Sequence, residues 1–172
     1  MNYHATHLLI LPEDEDDHRL AKGFVDHLKI NYMKIRMLDW ANGWRKAQAK
    51  ITEPGSTEIR HLERYSCAHL LVVLDFDTDS NRLAEIRTRI PATIAERVYV
   101  LGVWDEPQTL KRQFAYKHSF EKIGAALFED CLEPANVPST NGNLTWQHPS
   151  LQHNQAELQR FKANVCPFLV GS

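Results

Sequence analysis

Glycine-rich phosphate loops, paired cysteines and long apolar runs are all missing from this chain. Its seven glycines are scattered over 172 residues. Neither G-x-G-x-x-G nor G-x-x-x-x-G-K-[ST] occurs, so nucleotide binding through a backbone phosphate cradle has no support. The three cysteines, Cys67, Cys131 and Cys166, are odd in number and far apart in sequence, without a Cys-x-x-Cys pair. Neither a disulfide framework nor a zinc knuckle is predicted, and the nine histidines show no zinc spacing. No serine or cysteine sits in a nucleophile elbow. No apolar stretch approaches the length of a membrane span, and "MNYHATHLLILPEDE" carries no cationic leader, so a cytoplasmic protein is predicted. Excess positive charge is lacking too. A net charge of −2 gives no bulk attraction for polyphosphate, so any nucleic-acid contact must rest on a local patch or on bound metal.

What is present is an alternation of short apolar runs with segments of helical spacing. "HATHLLILP" reads as a buried strand, and Leu20, Phe24 and Leu28 then place a helix after it, with Asp16 and Asp17 as first-turn charges. "KIRMLDW" reads as a second, more exposed strand. Residues 43–65 carry helical spacing interrupted by "EPGS". "CAHLLVVLDFD" is the clearest strand, apolar enough to be covered on both faces and therefore central. A helix over 81–96 broken at Pro91, a strand "RVYVLGVW", a helix opening at Pro107 and one through Phe120, Ile123 and Leu127 follow. Residues 134–150 read as a long loop, and a last helix carries Leu158, Phe161 and Val165. This order predicts one α/β domain, 1–172. It has a mostly parallel sheet of about four strands with helices on both faces over 1–116, and a helical C-terminal extension over 117–172.

In such folds, ligands collect beyond the carboxyl ends of the strands. The acids gather there: "PEDEDD" follows the first strand, "DFDTD" ends the third and "WDE" ends the fourth. Along an extended segment residues i and i+2 point the same way, so Asp75 and Asp77 are expected to aim together. Two close carboxylates resist joint ionisation unless a cation lies between them, and Mg²⁺ or Mn²⁺ suits that role. Glu13 is the candidate for proton transfer, and Arg82, Lys111 and Arg112 are candidate phosphate contacts.

The glutamate after the first strand, the Asp-x-Asp pair after the third and the βαβαβαβ order resemble the Toprim domain of topoisomerases, primases and defence-associated nucleases. On that resemblance Glu13 matches the family glutamate, and Asp75 and Asp77 match its metal pair. Glu106, in "GVWDEPQTLKRQF", matches a further acidic contributor. The resemblance covers roughly residues 5 to 110. It departs at Asp14, where the family usually has glycine. It implies metal-dependent phosphodiester cleavage or transfer on DNA or RNA, an ATPase protein as partner, a role in phage defence, and room for a homo-oligomer.

Other readings of the same residues exist. Asp79 and Ser80 suit caps or turns, Glu106 suits a helix start, and the cations suit a solvated helix face. The four tryptophans are read as packing or interface anchors. The runner-up function is a catalytically inactive Toprim-like or flavodoxin-like binding or regulatory subunit. A small-molecule phosphohydrolase is the third.

Overall fold

A computed structural model describes residues 2–113, 119–132 and 146–170. Its sheet is built from β1 (His7–Pro12), β2 (Ile35–Met37), β3 (Ala68–Asp75) and β4 (Val98–Val103), all parallel, in the order β2-β1-β3-β4. The fold is thus α/β. The two continuous apolar runs, β1 and β3, lie side by side in the interior, and the short, half-exposed β2 forms one edge.

Strand alternation divides the core into two. Leu9 and Leu11 of β1, Leu70, Val72 and Leu74 of β3, and Val98 and Val100 of β4 face α2 (Trp44–Thr52), α3 (Thr57–Arg64) and α4 (Asn81–Arg89). Leu8, Ile10, Leu71, Tyr99 and Leu101 face the other way. They meet α1 (Glu15–Val25), α6 (Phe120–Leu132) and α7 (Gln155–Asn164). The short α5 (Pro107–Gln113) and α8 (Cys166–Leu169) complete the chain. The C-terminal helices therefore share with α1 the cover of one face of the sheet. Among the described residues no helix is long and apolar enough to cross a membrane.

One expectation changes. The first helix stops at Val25, so Leu28 lies beyond it and is fully exposed. Cys131 and Cys166 are free thiols buried in one apolar cluster, and Cys67 is partly buried. The loop expected over 134–150 falls outside the described residues from 134 to 145. Glycine has a packing role where α1 crosses α6, since a Cβ on Gly23 would run into the Glu121 carbonyl and one on Gly124 into that of Leu20.

The outer edge of β4 is closed by side chains. Gly102 donates its N–H to Asn154 Oδ1 (3.0 Å), and Asn154 Nδ2 donates to the Gly102 carbonyl (2.7 Å). Val100 donates to Glu157 Oε2 (3.1 Å), and Glu157 is held in turn by Arg87 and Arg160. A strand edge is thereby satisfied without another strand. Asn154→Ala would leave both Gly102 groups buried without partners, at about 1–3 kcal/mol each. Thermal melts should fall by roughly 5–15 °C, and a fall under about 2 °C would show that water replaces the amide.

Candidate active site

The strand order puts the crevice between β1 and β3. The connection from β1 to β2 passes over one face of the sheet and that from β2 to β3 over the other, which opens the sheet at its carboxyl edge between those two strands. Glu13 follows β1 directly. Its N–H donates to the Val73 carbonyl (2.8 Å), and its Oε2 accepts the Asp75 N–H (3.2 Å). Glu13 and Asp75 are thus brought together across the interior strand pair.

Asp75 continues the parity of Leu71 and Val73, so it points to the face covered by α1. On that helix, Asp17 is fully buried, on one stripe with Leu20, Ala21 and Phe24. Among the described residues neither Asp17 carboxylate oxygen has a hydrogen-bond partner, and Asp75 Oδ1 is likewise buried and unpartnered. Burial, then the Asp75 charge and those of Asp14 and Glu13, hold the Asp17 carboxyl well above the carboxylate range. Burial, then Glu13 and Asp14, push Asp75 up to about 8. Glu13 is also raised, chiefly by burial, against the pull of the Asp75 N–H. All three carboxyls are thus harder to ionise than free ones, and burial is the first cause for each.

Asp14 does not stand in a tight turn. Its backbone is extended (φ −137°, ψ −168°), and its side chain caps α1 by accepting the Asp17 N–H at 3.0 Å. No glycine is required there, and the cap fixes the start of the helix that carries Asp17.

Asp77 departs from the expected geometry. β3 ends at Asp75, and Asp77 and Thr78 adopt left-handed φ of 45° and 61°, so the i, i+2 alternation of an extended strand no longer applies. The Asp77 side chain is half exposed and pairs with Arg82 Nη2 at 2.5 Å. Arg82 also donates to the Asp75 carbonyl (2.9 Å) and lies over the Trp44 ring (4.7 Å). Its charge nonetheless reaches the acids, since it pulls against the raised Glu13. Asp79 accepts the Asn81 N–H (2.9 Å), as a turn former does.

Glu106 is exposed, and its carbonyl accepts the Thr109 N–H at the start of α5; its charge is the last of the five influences on Asp75. Lys111 lies over the Phe120 ring (4.9 Å), and Arg112 bonds within its own helix, so these two expected phosphate contacts are engaged locally. Among the described residues, no three His, Cys, Asp or Glu side chains form a ready-made metal-holding group. Glu13 and Asp75 converge; Asp77 and Glu106 do not close the set.

Asp17 is the residue that sequence reasoning treated as a first-turn charge. The signal against that reading was available: position 17 lies three, four and seven residues before Leu20, Ala21 and Phe24, on the apolar stripe. The orphaned oxygens of Asp17 and Asp75 are hard, anionic and desolvated, which fits a small divalent cation.

These raised carboxyls give a pH dependence of definite sign. In metal-free protein, each stabilises the fold below the unfolded carboxyl pKa of about 4. That stability is lost as pH rises, through about 8 for Asp75. Asp17→Asn removes the buried charge and should raise the melting temperature at pH 8 by about 4–8 °C, or about 2 kcal/mol. The gain should shrink toward pH 5. Circular-dichroism melts in chelator test this, and a variant less stable than wild type at pH 8 contradicts it.

No family model matches the chain, and no curated protein and no solved structure matches it either.

Proposed function

We propose that this chain cleaves or transfers phosphodiesters in nucleic acid, using a divalent cation, Mg²⁺ or Mn²⁺, at the carboxyl ends of β1 and β3. The observation that carries the reading is the fully buried, unpartnered carboxylate of Asp17 against Asp75. An isolated buried charge costs several kcal/mol, and a chain keeps one where an ion or a proton completes it.

Glu13, Asp17 and Asp75 would hold the cation, and Asp77 would join them on leaving Arg82. When bound, such a cation neutralises phosphodiester oxygens and orients them for displacement. The protein's own groups do the rest. The Asp75 N–H fixes the Glu13 carboxylate at 3.2 Å. Glu13, raised by burial, is suited to carry the proton of the attacking or leaving oxygen. Arg82 sits where negative charge on a substrate would meet it. The glutamate and Asp-x-Asp positions that resemble Toprim support the same reading. The ATPase partner and the setting in phage defence rest on that resemblance alone.

Purified protein with Mn²⁺ or Mg²⁺ should cleave labelled DNA or RNA, single-stranded or duplex. Asp75→Asn and Asp17→Asn should each lower the rate by about 10²-fold or more. Full activity in both variants, or none in the wild type with either metal, would replace this reading with that of an inactive binding subunit. Because the cation displaces protons, Mn²⁺ affinity by calorimetry should rise between pH 6 and pH 8 with proton release. A flat affinity across that range would mean the ion sits elsewhere.

A further inference from the structure

Beside the acid cluster, α2 and α4 leave a polar cleft of about 720 Å³ between them. Both helices begin at the carboxyl edge of the sheet, so the cleft opens at the edge that carries the acids and runs down the face opposite α1, with Arg82 as its link to Asp75 and Asp77. Its mouth is tied to the site by backbone: Gly43, just before α2, donates its N–H to the Glu13 carbonyl (3.2 Å). Arg82, which bonds the Asp75 carbonyl and Asp77, forms part of the cleft wall.

Charge is distributed unevenly along it. At the mouth stand Arg82, backed by the Trp44 ring, and Arg45, which is exposed and makes no ion pair or side-chain hydrogen bond among the described residues. Asp79, the acid at that end, has an oxygen engaged by the Asn81 N–H. Farther down, Arg89 is neutralised by Glu85 (3.0 Å) and Glu53 adds negative charge, while Gln48, donating to Glu85, and Thr52, donating to the Gln48 carbonyl, keep that wall polar without net positive charge. An occupant therefore needs an anionic group at the mouth and uncharged polar groups beyond it. One phosphate followed by sugar and base meets both requirements. The cleft's volume matches the roughly 300–1,000 Å³ of small-ligand sites, which suits a nucleotide-sized segment and not a duplex.

We infer that the α2–α4 cleft binds a single-stranded segment of nucleic acid next to the scissile phosphodiester, with Arg45 and Arg82 on its phosphate. The inference rests on the proposed phosphodiester chemistry and adds to it a path and a strandedness.

The test is fluorescence anisotropy with a short fluorescein-labelled single-stranded oligonucleotide, DNA and RNA in turn, in chelator. Wild type is compared with Arg45→Glu and with Arg60→Glu, an equal charge change on exposed α3 outside the cleft. Arg45→Glu should weaken binding about tenfold and reduce the salt slope by about 0.7 for the lost contact. Arg60→Glu should match wild type, and blunt duplex should bind more weakly than single strand. Equal affinities for wild type and Arg45→Glu, equal losses in both variants, or no binding by wild type would each overturn the inference. Activity separates it from the reading on which it rests. Metal-dependent cleavage with unchanged KM in Arg45→Glu would remove the cleft and keep the chemistry. Arg45-dependent binding without cleavage would do the reverse.

Discussion

Buried negative charge without a counter-charge is the constraint on which this structure turns. Placing Asp17 and Asp75 together at the base of the β1–β3 crevice costs stability, and among the described residues neither Asp17 oxygen nor Asp75 Oδ1 gains a hydrogen bond in exchange. That arrangement follows from topology and parity. Parallel pairing sets Pro12 opposite Val73, so the chain leaving β1 passes the last residues of β3. The alternation of β3 then turns Asp75 toward α1, and the Asp14 cap fixes where that helix begins. Moving the helix start by one residue would rotate Asp17 by about 100° and carry it off the stripe.

The second half of the chain supports this geometry from a distance. Asn154 fixes β4 through both backbone groups of Gly102, and Trp104 continues the register by donating its N–H to Ser150 (2.8 Å). The Trp104 carbonyl in turn accepts the Thr78 N–H (2.8 Å), inside the left-handed turn that carries Asp77. A line of backbone hydrogen bonds therefore runs from Ser150 through Trp104 to the β3–α4 turn, and the Asn154 side chain ties the start of α7 to the same strand. The segment after Phe120 shares the cover of a face of the sheet and braces the site; its removal would expose Tyr99 and Leu101 as well as the edge of β4.

Much of this was legible in the residues. The apolar runs in β1, β3 and β4 gave the strands, Pro54 and Gly55 gave the break between α2 and α3, and the acids after the first and third strands gave the crevice. Two features were hidden for physical reasons. Asp77 was read as if the strand continued, but strand length depends on where pairing with β4 stops, a long-range fact. Asp17 was read as a dipole charge because three consecutive acids at a helix start usually serve that purpose; its burial depends on α1 packing that stripe against the sheet, a long-range fact. Lys111 and Arg112 were placed by proximity in sequence to "WDE", whereas α5 turns them toward Phe120 and toward its own backbone.

The acids therefore differ in how firmly they are held. Asp17 is fully buried on a helix, and Asp75, partly buried, is the last residue of a paired strand. Asp77 sits on a turn with half its side chain in solvent, and its pair with Arg82 is worth no more than about 1 kcal/mol after screening. Exchanging that partner costs little, whereas removing the buried pair's need for a partner is not open to the fold. A cation entering the crevice would meet two carboxylates set on a helix and a strand and one that can swing, and the arginine released by that swing already borders the cleft toward which a phosphate would point. Pairing at the base and exposure at the rim thus arise from a single structural fact, the end of β3 at Asp75.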